Sequence, residues 1–381
     1  MDKYDYIIAG AGCAGLSLAY RLNHSELKDK KILLIDKEPK IKNDRTWCFW
    51  TKDFTLFDEI LYQKWDKINF YSPKYSNCIN INPYVYKMIR GVDFYNFILD
   101  DILKNKNISI EYGEIEGFVN EKDRSGVLIN GEKILSDWVF DSLYIPSTNK
   151  IKGFSYLKQH FKGWIIKTET PVFKPDEVTF MDFRIEQKNE TRFFYILPFS
   201  EYEALVEFTV FSKHILPEDT YNQELTNYIQ SFLKIENYQI IEEEFGVIPM
   251  EDAPQIPSGN IKIIKTGTAG GQTKASSGYT FLNIQTQCDF IVNSLLKTGK
   301  PESRTGSKRH KLYDSMLLNL MAKNRYESRD IFANLFKNHP IDRIFRFLDE
   351  QTTLWEELRI ISQMPPTPFL LALKDIVMRK K

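Results

Sequence analysis

The chain has 381 residues, 43% of them hydrophobic and 27% charged, with 51 basic and 51 acidic side chains in balance. That length favours two intertwined domains over one core, and a net charge of zero leaves no electrostatic footprint for nucleic acid. Four scattered cysteines and five scattered histidines argue against a disulfide framework or a metal site and read as reduced thiols of a cytosolic protein.

An apolar strand from Tyr6 to Ala9 runs into the turn Gly10-Ala11-Gly12-Cys13-Ala14-Gly15. A small-residue helix leaves it with Leu16, Ala19 and Leu22 on one face. A second strand, Ile32 to Ile35, ends on Asp36, 21 residues after Gly15. Gly10 allows the tight turn, Gly12 lets the backbone approach a pyrophosphate, and Gly15 lets the helix pack on the strand. The helix N-terminus favours the phosphates, and Asp36 is placed to accept the hydroxyls of an adenosine ribose. This pattern predicts dinucleotide binding.

A polar, aromatic segment follows from Lys42 to Trp50. Short alternating strands are predicted near Ile68–Tyr71 and Cys78–Ile81, a helix from Val92, and strands at Ile108–Tyr112 and Gly126–Ile129. Trp138 to Ser142 reads as a buried strand ending beside an acid. Period-two patterning at Val178–Phe183, Phe193–Leu197, Ala204–Phe211 and Phe245–Ile248 predicts an antiparallel sheet. A further strand at Ile261–Ile264 leads into Gly267-Thr268-Ala269-Gly270-Gly271, and the chain beyond about residue 305 reads as helical.

The second glycine cluster discriminates between cofactors. An enzyme that binds only NAD(P) has no need to revisit its cofactor about 250 residues after the first loop. A flavin needs a second strand and turn closing over its ribityl chain and pyrophosphate, so FAD is the expected cofactor. The expected fold is α/β, with a FAD-binding Rossmann-like domain of the glutathione-reductase type, an inserted antiparallel-sheet substrate domain and a helical C-terminus. The expected boundaries are 1–66, 86–150 and 255–305 for the FAD domain, 67–85 and 151–254 for the substrate domain, and 306–381 for the helical region.

With these segments placed, the chain resembles the lycopene cyclase flavoproteins, specifically the bacterial β-cyclase type. The likeness rests on IIAGAGCAGLSLAYRL, NDRTWCFW, VTFMDFR, FFYILPFSEYEALVEFT, FGVIPM, TGTAGGQTKASSGYTF, RFLDE and MPPTPFLLAL, in that order. The resemblance implies cyclisation of the linear ends of lycopene to β-ionone rings, giving β-carotene without net redox change. It also implies reduced FAD, with NAD(P)H as the reductant. Protonation of a terminal alkene starts such a reaction, so the acid must keep its proton at neutral pH, as a carboxyl in an apolar wall does.

Glu207 fits that need. It shares a strand face with Leu205, Thr209 and Phe211 and is the only charge between Ala204 and Phe211. It also matches the acid of the family's FLEET-like motif. The plainer reading is an edge-strand acid paired with a lysine or arginine. Plant cyclases carry two adjacent acids, whereas this chain has Phe208, so Glu207 acts alone or with a distant acid. Asp182 on a neighbouring strand is the second candidate, either in the substrate's hydrogen-bond network or paired with Arg184. Arg45 is expected near flavin or its phosphates, and Trp47 and Trp50 along a ligand tunnel or in the core. Gly267, Gly270 and Gly271 close over the flavin, with Thr268 where many such folds carry an aspartate.

Flavoenzymes of the same fold, monooxygenases and polyprenyl reductases, are the nearest alternatives, followed by a carotenoid carrier without activity. A linear carotenoid dissolves in lipid, so peripheral membrane association from the cytoplasm is expected. Phe369, Leu370, Leu373, Ile376 and Val377, followed by Arg379, Lys380 and Lys381, offer an apolar helix with a basic end, suited either to anionic lipid or to docking on the body with a solvated basic end. No run of 18 apolar residues spans a membrane, and no signal-peptide pattern is visible. The 27 Phe, 20 Tyr and 6 Trp suit a long apolar tunnel as well as ordinary cores.

Overall fold

The computed structural model describes residues 4–145, 151–254, 262–304 and 306–379. The chain runs through β1 (Tyr4–Ala9), α1 (Cys13–Asn23), β2 (Ile32–Asp36), β3 (Thr46–Thr51), β4 (Gln63–Trp65), β5 (Lys67–Tyr71) and β6 (Ser76–Asn80). Next come β7 (Val85–Arg90), α2 (Gly91–Ile102), β8 (Ile108–Tyr112), β9 (Ile115–Glu121), β10 (Arg124–Ile129) and β11 (Glu132–Asp141). The middle holds β12 (Tyr156–Thr168), β13 (Glu177–Asp182), β14 (Thr191–Pro198), β15 (Glu203–Ser212), α3 (Glu218–Ser231), β16 (Tyr238–Glu251) and β17 (Ile263–Lys265). The remainder is α4 (Phe281–Thr298), α5 (Lys308–Ala322), α6 (Ser328–Asn338), α7 (Ile341–Leu348), α8 (Leu354–Ile361) and α9 (Pro366–Met378).

The first sheet has the order β8-β2-β1-β11-β10-β9, with β17 also on β11. Strands β8, β2, β1, β11 and β17 are mutually parallel. The long strand β11 forks, its first half pairing antiparallel with β10 and its last residues with β17. All five residues of β2 are buried, as expected of a strand covered on both faces. Helix α1 sits against β1 because Gly15 has no side chain: a Cβ there would lie 1.9 Å from the Gly10 carbonyl oxygen.

The second sheet has the order β16-β12-β15-β14-β13-β5-β6. It is antiparallel except that β13 and β5 run parallel, a departure from the expected all-antiparallel pattern that arises because β5 comes from a distant part of the chain. Strand β15 shows the alternation that buries both faces. Ala204, Val206, Phe208 and Val210 face α3 through Tyr221, Leu225 and Tyr228. Leu205 and Phe211 face the opposite core, which β3, β7 and helices α5 to α7 complete through Trp50, Tyr86, Leu318, Phe336 and Phe345.

Several elements were not anticipated, β4, β7, β9 and α4 among them. NDRTWCFW contains strand β3, in a small sheet of order β3-β7-β4. Strand β12 and helix α3 lie where no element was expected, and β16 extends well beyond Phe245–Ile248. The strand expected at Ile261–Ile264 is β17, with Ile261 outside the described residues.

The basic apolar helix expected at the C-terminus is also redrawn. In α9, Ala372 and Ile376 are buried while Leu370, Leu371, Val377 and Met378 are exposed, so the predicted apolar cluster is split between two faces. Arg379 is no free basic end: it pairs with Asp252 at 2.7 Å and lies over the Phe154 ring. Lys380 and Lys381 lie outside the described residues.

Candidate active site

The first glycine turn is built as its spacing requires. Gly10 has φ +97°, and a Cβ there would strike the Ser142 hydroxyl at 2.4 Å. Gly12 differs in kind, since a Cβ built on it meets nothing within 4 Å. The backbone beside it faces open space at the helix N-terminus, where a phosphate would fit. Asp36 closes this end, accepting from the Ala11 N–H at 2.7 Å and pairing with Lys40 at 3.0 Å. Sequence reasoning did not single out Lys40.

The second glycine block docks on the first. The Thr266 N–H donates to the Asp141 carbonyl, fixing the turn at the end of β17. A Cβ on Gly267 (φ +59°) would sit 2.9 Å from the Ala14 Cβ, and one on Gly270 would lie 2.5 Å from the Lys265 carbonyl oxygen. Gly271 is also left-handed, at φ +75°. Thr268, Gly270, Gly271 and Gln272 border a cleft of about 560 Å³ that Lys274 and Asp349 also line. Two glycine turns, an open backbone and a terminal acid together fit a dinucleotide that extends from Asp36 towards this cleft.

Strand β3 joins this half of the molecule to the other. Trp47 and Phe49 point into the nucleotide half, against Phe94 and Phe281. Thr46, Cys48 and Trp50 point the other way, towards β15 and β16. Asn43 and Thr46 donate to Glu242 and Glu244 at 2.9 and 2.7 Å, fastening the NDRT segment to β16.

Glu207 stands on that second side. Its register neighbours are Gly163 on β12 and Tyr195 on β14, and Gly163 in turn faces Glu244 on β16. The Thr209 hydroxyl donates to Glu207 Oε1 at 2.6 Å. Burial, followed by the charge of Glu244, holds the Glu207 carboxyl well above the usual carboxylate range. Burial also raises Glu244, opposed by the Thr46 hydroxyl, the contact with Glu207 and the Arg45 charge.

Around the two acids stand Cys48, Tyr86, Tyr195 and Tyr279, and burial pushes the thiol and all three phenols up. Tyr279 stacks edge-on against Trp50 at 4.6 Å, and Trp50 lies flat on Phe345. Phe180, Tyr195, Phe211, Tyr279 and Phe336 line a narrow gap of about 20 Å³, room for about one water. The arrangement is a carboxylic acid held towards its neutral form in an aromatic enclosure.

A family model described as "Lycopene cyclase protein" matches residues 5–374. The chain belongs to the lycopene cyclase family. It is 24% identical over 400 residues to a lycopene beta-cyclase of Pantoea ananas, covering 98% of each chain. It is 23% identical to a lycopene beta-cyclase of Pseudescherichia vulneris, over 96% of this chain and 95% of that one. A chloroplastic neoxanthin synthase of Solanum tuberosum is 23% identical over 77% of this chain and 61% of its own length.

Among solved structures, a geranylgeranyl bacteriochlorophyll reductase-like protein of Thermoplasma acidophilum superposes with a TM-score of 0.61 at 14% identity, covering 98% and 100% of the two chains. A flavoprotein/dehydrogenase of Cytophaga hutchinsonii gives 0.60 at 15%, covering 95% and 99%. CtdE in complex with FAD gives 0.55 at 12%, covering 88% and 92%. These likenesses establish the mixed α/β fold of FAD-dependent oxidoreductases for this family member.

The structure gathers the expected site residues into two groups. Gly10, Gly12, Gly15, Asp36, Gly267, Gly270 and Gly271 lie around the glycine turns. Arg45 is exposed, donates to the Asp44 carbonyl at 2.6 Å, and directs its charge to Glu244. Glu207 lies apart, on the far side of β3.

Asp182 joins neither group, and of its two readings the structure shows the pairing with Arg184 instead of a place beside Glu207. It is two strands away from Glu207, with β14 between, and on the opposite face of the sheet. There it is fully buried, paired with Arg184 at 2.5 Å, and accepts from the Tyr228 hydroxyl at 2.6 Å. Residues Gly163, Tyr195, Glu244 and Tyr279 were missed. For Glu244 the signal was present: alternation back from FGVIPM places it on one face with Gly246 and Ile248.

Proposed function

We propose that this family member is a lycopene β-cyclase that closes the linear ends of lycopene into β-ionone rings. The observation that carries this reading is Glu207, which burial holds towards its protonated form in an aromatic enclosure, with the Thr209 hydroxyl and Glu244 beside it instead of a basic side chain. An alkene is a weak base, and only an acid that retains its proton at neutral pH and meets little competing water can protonate it. Glu207 supplies the proton to the terminal alkene carbon, and the resulting tertiary cation is attacked by a double bond of the same chain. Loss of a ring proton completes the β ring. The faces of Trp50, Tyr195 and Tyr279 stabilise the passing cation by ~1–2 kcal/mol each when desolvated.

The residues suited to FAD are Gly10, Gly12, Gly15 and Asp36 for the adenosine and pyrophosphate, with Gly267, Gly270 and Gly271 for the flavin half. When bound and reduced by NAD(P)H, the flavin would supply negative charge to the half of the molecule that adjoins the cation. Arg45 is placed between the two halves. Segments 67–85 and 151–254 form the substrate domain in this reading, with the helices between Lys308 and Met378 as its cover.

The gap beside Tyr195 is too small for a hydrocarbon end, so its lining must give way when substrate enters. Trp355, Leu354, Leu358 and Ile361 form an exposed apolar stripe on α8, and Leu370, Leu371 and Val377 another on α9. This surface supports peripheral attachment to the cytoplasmic face of a membrane, from which a carotenoid would be drawn. Among the described residues no helix is long and apolar enough to cross a membrane.

The fold likeness to a geranylgeranyl reductase-like protein supports one rival, reduction of a polyprenyl chain. The test is conversion of lycopene in liposomes by purified protein with FAD and NADPH, without oxygen. β-Carotene or its one-ring precursor without matching NADPH loss supports the cyclase. NADPH consumed in step with product supports the reductase, and bound but unchanged lycopene a carrier.

A further inference from the structure

Glu244 belongs to no segment to which the proposed reaction assigns a role, yet it is the acid that faces Glu207. The two side chains start on strands separated by β12, about 9.5 Å apart at two strand spacings. An ordinary residue between them would fill the space with its own side chain. Gly163 leaves it to the Leu205 end and the Glu244 side chain, so that the two carboxyls come into contact over it. A Cβ at residue 163 would lie 3.0 Å from Glu244 Cγ and 3.1 Å from Glu244 Oε1.

The hydrogen-bond inventory of the pair is incomplete in an informative way. Glu207 Oε1 accepts from Thr209, and Glu244 Oε2 accepts from Thr46. Glu244 Oε1 is buried without any hydroxyl or N–H donor. A buried oxygen without a donor, directed at a second carboxyl, is satisfied if one proton lies between the two acids.

We propose that Glu207 and Glu244 work as one proton-sharing pair across Gly163, with Glu207 carrying the proton and Glu244 its anionic positioning partner. The proposal rests on the cyclase reading for its chemistry, though not for its geometry. The surrounding groups agree with this polarity. Thr46 from β3 and Arg45 just before it favour the charge on Glu244, whereas Glu242 on β16 opposes it. Cys48 from β3, Tyr86 from β7, Tyr195 from β14 and Tyr279 ahead of α4 are all held neutral.

The balance of the reaction follows. The Glu207 O–H bond breaks as a C–H bond forms at the terminal alkene carbon. The pair then carries two negative charges facing one cation, which favours ring closure. The ring C–H bond breaks, its electrons form the ring double bond, and the proton returns to the pair. No proton or electron is gained or lost over the cycle.

Glu244→Gln tests this, because the amide keeps the size and can still accept from Thr46 but carries no charge. Without that charge Glu207 loses its proton more readily. Ring closure at neutral pH should fall about 10- to 100-fold, the worth of one charge-assisted hydrogen bond. The alkaline limb of the pH–rate profile should move by at least about one unit towards acid. An unmoved limb, whatever the rate, would mean that Glu244 is only structural and would overturn the proposal.

A second measurement needs no activity. The infrared carbonyl band of a protonated carboxyl, recorded on cofactor-free protein with labelled glutamate, should persist at neutral pH. It should vanish in Glu207→Gln and titrate at lower pH in Glu244→Gln. A band unaffected by Glu207→Gln would refute the pair. Failure of the wild-type protein to cyclise lycopene would instead refute the cyclase reading, leaving the infrared result to decide the pair.

Discussion

Gly163→Ala is the most economical probe of the acid site, since it adds one methyl and replaces no titrating group. Residue 163 lies in the regular part of β12, so the backbone tolerates alanine. In the ideal position the new Cβ would be 2.8 Å from Leu205 Cδ1, 3.0 Å from Glu244 Cγ and 3.1 Å from Glu244 Oε1. Carbon atoms at rest sit about 3.5–4.0 Å apart, so each neighbour must retreat by roughly 0.5–1 Å. Leu205 can do so by turning its flexible end. Glu244 is held by Thr46 and can retreat only by leaving Glu207.

Overpacking costs about 1–3 kcal/mol, offset by roughly 0.5–1 kcal/mol when alanine replaces glycine in a strand. The net destabilisation is about 0–2.5 kcal/mol, a loss that leaves the protein folded if its stability is typical. Separating the carboxyls should lower ring closure ~10–100-fold, with flavin content unchanged. Thermal unfolding, flavin absorbance and β-carotene formation measure the three quantities. A variant with Glu244 displaced in a crystal structure but with the wild-type rate and pH profile would refute the reasoning.

Glu207→Gln keeps shape and cannot donate the proton, so ring closure should be lost while FAD still binds; product formation at the normal rate would assign the acid elsewhere. Gly12→Ala places a methyl in open space, so unfolding should change by no more than ~0.5 kcal/mol while FAD affinity falls at least about tenfold. Gly15→Ala should instead impair folding, and equal behaviour of the two variants in melting and flavin titration would count against the division of labour in the turn. Burial lifts Asp349 to about 6, above its unfolded value of about 3.9. The folded state therefore binds the extra proton, and this contribution is lost as pH rises from about 4 through about 6, by at most ~3 kcal/mol. Denaturant titrations should show the stability advantage of wild type over Asp349→Asn shrinking across that window, and a pH-independent difference would contradict the assignment. Trp355→Asp on α8 should weaken sedimentation with anionic liposomes about tenfold or more, with catalysis on detergent-dispersed lycopene retained; unchanged sedimentation would place the membrane surface elsewhere.

The parts of this protein that were legible in its sequence are those where one residue type serves one local need. Gly10, Gly12 and Gly15 each answer a constraint within a single turn, and Asp36 ends the strand beside it. Glu207 was legible because a lone charge breaks an apolar alternation. Asp182 breaks its strand in the same way, and the sequence offered Arg184 as its partner, but it did not show Tyr228 or the opposite face of the sheet. Pattern identifies a buried charge; only the third dimension shows whether it has a partner.

The acid pair was hidden for a related reason. Glu207 and Glu244 are 37 residues apart in sequence, and their meeting depends on the register of β12, an element with no strong period-two signal of its own. Its sequence YLKQHFKGWIIKT mixes charge and apolar residues on both faces. One face serves α3 through Trp164 and Ile166, and the other carries Gln159, Phe161 and Gly163 towards the acid site. A glycine in such a strand ordinarily signals weakness or a bulge, and here it marks the place where two side chains from flanking strands need room.

Strand β3 explains how one polypeptide couples its two halves. Its odd residues, Trp47 and Phe49, belong to the nucleotide core, and its even residues, Thr46, Cys48 and Trp50, belong to the acid enclosure. A change in the first core that shifts β3 must therefore also shift Thr46 against Glu244, because a strand moves as a unit and its two faces alternate along one backbone. The Trp50 indole, which donates to Asp349 at 2.8 Å, carries the same displacement to the end of α7. On this geometry cofactor occupancy and the proton affinity of the acid pair are mechanically linked through six residues. Thr46→Val removes the hydroxyl that fixes one end of that link, and it should raise Glu244 towards protonation without altering the glycine turns. In infrared titration of cofactor-free protein, Glu244 should then take up its proton at higher pH than in the wild type. An unchanged titration would show that Thr46 holds β16 without setting its charge.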